Sequence, residues 1–396
     1  MTIYHFEFGK LGRGLSGGEN CLIQLIRIFQ SKGIKNVLLT TDNAREEYEE
    51  LGLSEGKLLQ YKTIKSEWTE NRFGALGSYI IRSKMALRLV KDIAPIDSDI
   101  LLCNSDFFPN SIPFHKVARR HPNAKRIYWL RMLAPDWFKG FEGHYTNHHR
   151  FPSPRFAHYK LSQNLYLKLM PAQSTVLVQN EDFEKRLSRK RTDLNINLLN
   201  WYPGRPPLDF NPMTVEKKYD LAWMGRFHAQ KGLFQIPTLL KQIKATKNDV
   251  SLLLMGGGSK KLEKQLFHII EAEGLSKNVT YAGYGGAERL KELVQAKAFL
   301  LTSSYEGSPN VAVEALTCGL PIICHKLPIF QKFMPASLQS DPLDLEAMAN
   351  NALQLLTNPE ILSAYQQHTI TLAEKFSWET IADAILKATD INNPSI

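Results

Sequence analysis

The sequence predicts an α/β protein of two Rossmann-like, doubly wound domains. Three observations carry this. Short apolar runs without polar alternation recur along the chain, the pattern of parallel strands buried on both faces. Helix-prone stretches separate them, as βαβ units require. The proline-rich stretch Trp201 to Pro212 divides the 396 residues near their middle, and a chain this long favours more than one core.

In the first series, Thr2 to Phe8 reads as a strand, followed by a glycine-rich turn and a helix from Gly18 to about Lys32. Asn36 to Thr40 is a second strand and Arg45 to Leu51 an acidic helix. Tyr79 to Ile93 reads as an amphipathic helix with Arg82, Lys84, Arg88 and Lys91 on its polar side. Asp99 to Cys103, Arg126 to Leu130 and Thr175 to Gln179 are further short strands. The second series starts with strand Tyr219 to Met224, helix Pro237 to Lys247, strand Val250 to Met255 and helix Lys260 to Glu273. Strands at Val279 to Ala282, Ala298 to Leu301 and Pro321 to Cys324 follow, the last two joined by a helix that ends at Gly319. Pro309 at the first helical position and Gly319 past the last turn are its expected punctuation. Phe376 to Ala388 reads as a closing amphipathic helix. The expected domains are 1–205 and 206–375, with 376–396 as the closing helix.

An apolar fraction of 43% with 10% aromatics fits a globular protein. No apolar run approaches the roughly 20 residues of a spanning helix, and MTIYHFEFGK lacks the layout of a signal peptide. Cys21, Cys103, Cys318 and Cys324 lack CxxC spacing and sit among apolar residues, which predicts reduced, buried thiols in a cytoplasmic protein and no zinc site. The net charge of +10 is uneven: residues 1–200 hold 30 Lys and Arg against 20 Asp and Glu, residues 201–396 hold 19 of each. Such asymmetry suits an anionic surface or acceptor, or a solvated basic face. No nucleic-acid module is recognisable.

The most informative segment is Ser303 to Glu314. Glu314 is flanked by Ala312, Val313, Ala315 and Leu316, where a carboxylate is costly unless it finds hydrogen-bond donors. A ligand with vicinal hydroxyls supplies them. Glu306, eight residues earlier, brackets a helix N-terminus that favours phosphate. Gly225 to Gly232, GRFHAQKG, leaves a strand end with Arg226 and Lys231, two cations suited to a diphosphate and, taken alone, equally readable as solvated loop residues. Gly256-Gly257-Gly258 is a strand-end turn without GxGxxG spacing, and no GxxxxGK[ST] occurs. The glycine-rich segment Gly12 to Glu19 lets backbone approach a phosphate or sugar. Asp97-Ser98-Asp99 matches a DxD pattern but precedes a strand, and reads as a turn and cap.

Together these residues resemble the retaining glycosyltransferases of the GT-B fold, family GT4. GRFHAQKG is similar to that family's G-R-[LF]-x-x-x-K-G segment. Glu306 to Glu314, with Ala315 to Pro321, is similar to its E-x7-E segment and trailing [AS]-x-G-x-P. The likeness is strongest from Tyr219 to Pro321. The loop at 12–18 resembles the family's acceptor-side loop, and Phe376-Ser377-Trp378-Glu379 its closing helix, which in such folds crosses back onto the first domain. The resemblance implies that Arg226 and Lys231 hold the donor diphosphate, Glu306 contacts the transferred hexose and Glu314 accepts from the ribose hydroxyls. Gly307, Ser308, Pro309 and Asn310 would meet the sugar and phosphates beside Gly225 and Gly256, with Gly14 or Gly17 closing over the diphosphate. The implied reaction is retaining transfer from a nucleotide-diphosphate sugar such as a UDP sugar to a glycan or lipid-linked hydroxyl. It needs no metal or other cofactor, and belongs to bacterial surface polysaccharide or lipopolysaccharide synthesis.

One departure stands in the first domain. Many members carry a histidine after the strand that here reads Arg126 to Leu130; this chain continues Arg131-Met132-Leu133-Ala134-Pro135-Asp136. Arg131 or Asp136 takes that polar role, or His144, His148 or His149 reaches in. Phe138 to Phe156 is the expected acceptor lip. The basic helix at 79–91, with Lys185-Arg186 and Arg189-Lys190-Arg191, would meet anionic lipid at the inner face of the plasma membrane. Two other readings compete: a nucleotide-sugar epimerase or hydrolase of the same fold, and a non-catalytic sugar-nucleotide-binding partner protein.

Overall fold

The computed structural model describes residues 1–11, 17–66, 69, 74–134, 154–179, 181–199, 203–284, 288–327, 329–330 and 338–390, excluding the side chains of 75, 154–157 and 390. The chain divides into two compact units. The first comprises described residues of Met1–Gly140, Arg150–Trp201 and Trp378–Ile396; those of the second lie within Tyr202–Ser377.

The first unit holds a seven-stranded parallel sheet: β1 (Thr2–Phe6), β2 (Lys35–Thr41), β3 (Leu59–Ile64), β4 (Ile100–Cys103), β5 (Lys125–Leu130), β6 (Thr175–Val178) and β7 (Asn195–Leu198). Their order is β3-β2-β1-β4-β5-β6-β7. The winding reverses between β1 and β4, and ligands of open α/β sheets bind outside the strand ends at such a switch point. Every residue of Ile100–Cys103 and Thr175–Val178 is buried, which is why these strands read as unbroken apolar runs. The last helix, Trp378–Asp390, belongs to this unit. It packs Trp378, Ile381 and Ile385 against Ile3, Leu25, Phe29 and Ile127, and each buried isoleucine contributes about 1.5–3 kcal/mol.

The second unit holds a six-stranded parallel sheet: β8 (Tyr219–Arg226), β9 (Leu252–Gly257), β10 (Val279–Gly283), β11 (Ala296–Leu301), β12 (Ile322–His325) and β13 (Leu338–Ser340), ordered β10-β9-β8-β11-β12-β13. Successive side chains feed opposite cores. Ala222, Met224, Leu253, Met255, Phe299 and Leu301 enter one; Leu221, Trp223, Leu252, Leu254, Ala298 and Leu300 enter the other. The reversal here falls between β8 and β11.

Several sequence expectations are revised. Arg82 is not on a polar face: it is fully buried, donating from Nε to Thr69 Oγ1 (2.9 Å) and from Nη1 to the carbonyls of Phe8 and Lys10. Its helix begins earlier, at Gly74. Pro309 caps its helix and does not open it: Asn310–Thr317 is the helical span, and Gly319 ends it at φ +70°. The helix Phe108–Arg120 was hidden by Pro109 and Pro113, and strands β3 and β7 and the helices Leu345–Thr357 and Pro359–Ala373 also went unread. All four cysteines are buried free thiols, as expected. Asp99 is a cap: its carboxylate accepts from the backbone N–H of Thr2 (2.7 Å) and Ile96 (3.1 Å).

Candidate active site

The second sheet's switch point carries the predicted residues. β8 ends at Gly225-Arg226, and a short turn, Ala229–Lys231, follows it. That turn is lashed to the segment leaving β11. The Gln230 carbonyl accepts from the N–H (2.9 Å) and hydroxyl (3.2 Å) of Ser304, and Gln230 Nε2 donates to Tyr305 O (2.8 Å). Thr302 Oγ1 donates to Lys231 O (2.8 Å) and accepts from Trp223 Nε1 (3.0 Å). Gly232, at φ +66°, passes so close that a Cβ would stand 2.0 Å from Thr302 O. With the backbone fixed, Lys231 Nζ lies 2.6 Å from Glu306 Oε1. The carboxylate is buried; the lysine is partly exposed.

Glu314 is buried in the helix Asn310–Thr317 and receives the donor that burial demands from Arg289, whose Nη2 lies 2.7 Å from Oε1. Each acid thus has one oxygen on a cation, and among the described residues the other oxygen has no hydrogen bond. Arg226 is exposed at the end of β8 and makes no ion pair among the described residues. Gly225 faces Gly256 across β8 and β9. Gly256, at φ +115°, has no room for a side chain, because a Cβ would stand 1.9 Å from Gly225 O. Gly307 and Pro309 are buried, while Ser308 and Asn310 are half-buried.

In the first unit, Gly17 opens the helix Gly17–Ser31 and is exposed. Gly14, Asp136, His144, His148 and His149 lie outside the described residues, as does the acceptor-lip segment up to 153. Arg131 directly follows β5. Its guanidinium lies 3.9 Å over the Trp129 ring, and Nε donates to Asn104 O (2.9 Å). Glu7 directly follows β1, and its Oε1 accepts from Asn110 Nδ2 at 3.4 Å. Burial pushes the Glu7 carboxyl up from 4.5 to about 7; repulsion from Glu19 adds to this, while Arg131, Asn110 and Lys10 oppose it.

Because the folded pKa exceeds the unfolded one, stability from protonated Glu7 is full below about 4.5 and is lost as pH rises towards about 7. The always-neutral Glu7→Gln is expected to gain on the wild type by up to about 3 kcal/mol between pH 4 and pH 8. Denaturant unfolding at the two pH values reads this directly, and a pH-independent difference would mean that Glu7 ionises freely.

Residues 206–334 match the model of the glycosyl transferases group 1 family. The matched stretch lies within the second unit. That stretch contains Arg226, Lys231, Glu306 and Glu314. The O-antigen chain mannosyltransferase B of Escherichia coli is 28% identical over 198 residues, 47% of this chain and 51% of that one. The chain spans about half the length of the curated relatives it matches. Among solved structures, TarM of S. aureus, crystallised with Fondaparinux, alpha-GlcNAc-glycerol and UDP, aligns over 98% of this chain and 99% of its own, with TM-score 0.75 and 13% identity. HepE of Anabaena, crystallised with UDP and glucose, aligns over 99% and 100%, with TM-score 0.69 and 15% identity. At such identities these likenesses show the fold, two parallel-sheet Rossmann-like domains of the GT-B kind.

In the second unit the sequence gives no sign of Arg289, because nothing in a lone arginine 25 residues before Glu314 marks their contact. Nor does it mark Gln230 and Thr302, whose bonds form only when two strand ends meet. In the first unit, Glu7 did leave a signal: a carboxylate inside the apolar run IYHFEF. No helix among the described residues is long and apolar enough to cross a membrane.

Proposed function

We propose that the protein is a retaining, metal-independent hexosyltransferase. It would move a sugar from a nucleotide-diphosphate sugar to a hydroxyl of a glycan or lipid-linked acceptor. The observation that carries this is the Lys231–Glu306 pair at the switch point of the second sheet, inside the segment shared with the group 1 family. Arg226 and Lys231 hold the diphosphate. Glu314 gives its free oxygen to the ribose, and Glu306 gives its own to the hexose. Gly307 to Asn310 present backbone and the N-terminus of the helix Asn310–Thr317 to the phosphates. As transfer proceeds, the bond from the sugar's anomeric carbon to the diphosphate oxygen breaks and its electron pair leaves with the nucleoside diphosphate. The two cations offset that charge where it develops. The acceptor oxygen then bonds to the anomeric carbon on the face just vacated, and its proton is released.

The O-antigen mannosyltransferase relative supports an acceptor in surface polysaccharide or lipopolysaccharide synthesis. Exposed Lys84, Arg88 and Lys91 support a peripheral contact with anionic lipid. The test is a panel of UDP- and GDP-sugars incubated with mono- and disaccharide glycosides and followed by mass spectrometry. One hexose added per nucleoside diphosphate released, with retained configuration by NMR and a rate unchanged by chelator, is the expected result. Free sugar or an epimer as the sole product would replace transfer by hydrolysis or epimerisation.

A further inference from the structure

Near the edge of the second sheet lies a cavity of about 280 Å³. It is lined by Tyr219 of β8, Leu253 of β9, Thr280 and Ala282 of the edge strand β10, and Glu292 and Gln295 ahead of β11. Leu253 and Thr280 are register partners. The helix over this face, Arg289–Leu293, has only five residues. It packs Leu290 and Leu293 with Leu253 into the core, but is too short to cover the edge, and Thr280 stays exposed. The cavity stands back from the strand ends that carry the diphosphate site. On β9, Leu253 precedes Gly256 by three residues, about 10 Å at the rise of a strand. Glu292 Oε2 is buried without a hydrogen-bond partner, and among the described residues no cation pairs with this carboxylate. The cations of the adjoining segments are engaged elsewhere. Arg289 Nη2 lies 2.7 Å from Glu314, Lys291 Nζ lies 2.9 Å from Glu288, and Lys217 Nζ donates to Val294 O at 2.7 Å. Gln295 is held by its Nε2, which donates to Lys291 O at 2.8 Å, and by its carbonyl, which accepts from the N–H of Lys218 and Tyr219.

A carboxylate oxygen withdrawn from water without a donor is costly, and an occupant that donates relieves the cost. The four polar side chains described around the cavity all accept: Glu292 and Gln295 through their Oε atoms, Tyr219 and Thr280 through their hydroxyls. An anion would be repelled by Glu292. A metal ion would meet a single carboxylate, and no metal-holding cluster of His, Cys, Asp or Glu occurs among the described residues. A primary ammonium matches, with three N–H donors on one positive charge, and Leu253 and Ala282 offer apolar contact to the carbons it carries. We propose that the cavity binds a small primary alkylamine, with its ammonium on Glu292 and its methylenes on Leu253 and Ala282. The chain carries a net charge of +10, so its overall field does not attract amines, and binding requires the local carboxylate. The site does not depend on the transfer reaction proposed above.

Calorimetric titration of butylamine and of putrescine into the full chain, at neutral pH and physiological salt, tests it. At least one of the two is expected to bind the wild type at a single site. Butanol, which has the shape of butylamine without its charge, should bind at least about tenfold more weakly. Glu292→Gln keeps the shape of the side chain and removes its charge. It should raise the amine Kd at least about tenfold and melt no lower than the wild type, since a carboxylate lacking its donor is gone. Thr280→Phe, at an exposed strand position that suits an aromatic residue, should fill the cavity and block the amine with Glu292 intact. It decides the matter if Glu292→Gln does not fold. Wild type that binds neither amine, leaving Glu292 Oε2 to water, overturns the site. So does butanol binding as tightly as butylamine, or a variant that binds the amine as tightly as the wild type.

Discussion

Lys231→Ala is expected to lower the rate of sugar transfer by on the order of 10²–10³-fold, as removal of a preorganised charge at a developing anion does. Lys231 is placed for this by backbone, not by its own flexibility. Its carbonyl is bonded by Thr302 and its neighbour Gln230 is bonded to Ser304 and Tyr305, so the ammonium meets Glu306 at 2.6 Å with little freedom left to lose. The substitution also leaves a buried carboxylate without its cation, which reduces stability as well. The two effects separate in steady-state kinetics against a double variant with Glu306→Gln. If Lys231 acts only by holding Glu306, the double variant is no slower than Glu306→Gln alone; if it acts on the leaving diphosphate, the losses of the two single variants multiply.

Gly232→Ala is expected to have the largest effect on stability, about 3 kcal/mol or more. Two causes add. The residue sits at φ +66°, which an L side chain resists, and the new Cβ would lie 2.0 Å from Thr302 O and 2.8 Å from Thr302 C, both backbone atoms. Relief requires the β8 and β11 ends to part, which takes Lys231 away from Glu306. Gly274→Ala is the matched control: φ is +65° but nothing lies within 4 Å of the new Cβ, so only the conformational cost of about 1–2 kcal/mol remains. Thermal unfolding of both variants measures the difference, and equal melting temperatures would mean that the strand ends separate freely.

Much of the architecture was legible because buried parallel strands announce themselves. Ile100–Cys103 and Leu252–Gly257 are apolar on both faces, and the sequence shows them as unbroken runs. The second unit's site was legible because its residues fall within two short segments, each tied to one strand end. What escaped depends on contacts between distant residues. Arg289 meets Glu314 only after a strand is laid between them. By helical period Arg82 falls opposite the exposed Lys84 and Lys91, on the buried face, where its guanidinium meets the carbonyls of Phe8 and Lys10 and Thr69; its charge alone made it read as surface. Phe108–Arg120 carries Pro109 in its first turn, where a lost N–H is tolerated, and Pro113 in its interior, so the composition of a loop conceals a helix. Glu7, Asn104 and Arg131 are far apart in sequence and come to neighbouring strand ends only through the strand order.

The central claim is that the second unit binds a nucleoside diphosphate with Glu314 on the ribose. Calorimetric titration of UDP and of GDP into wild type and Glu314→Ala tests it most directly. One of the two is expected to bind the wild type at a single site, with affinity reduced at least about tenfold in Glu314→Ala as a hydrogen bond to a charged group is lost. Undiminished affinity in Glu314→Ala, or no binding of either nucleotide to the wild type, would contradict it.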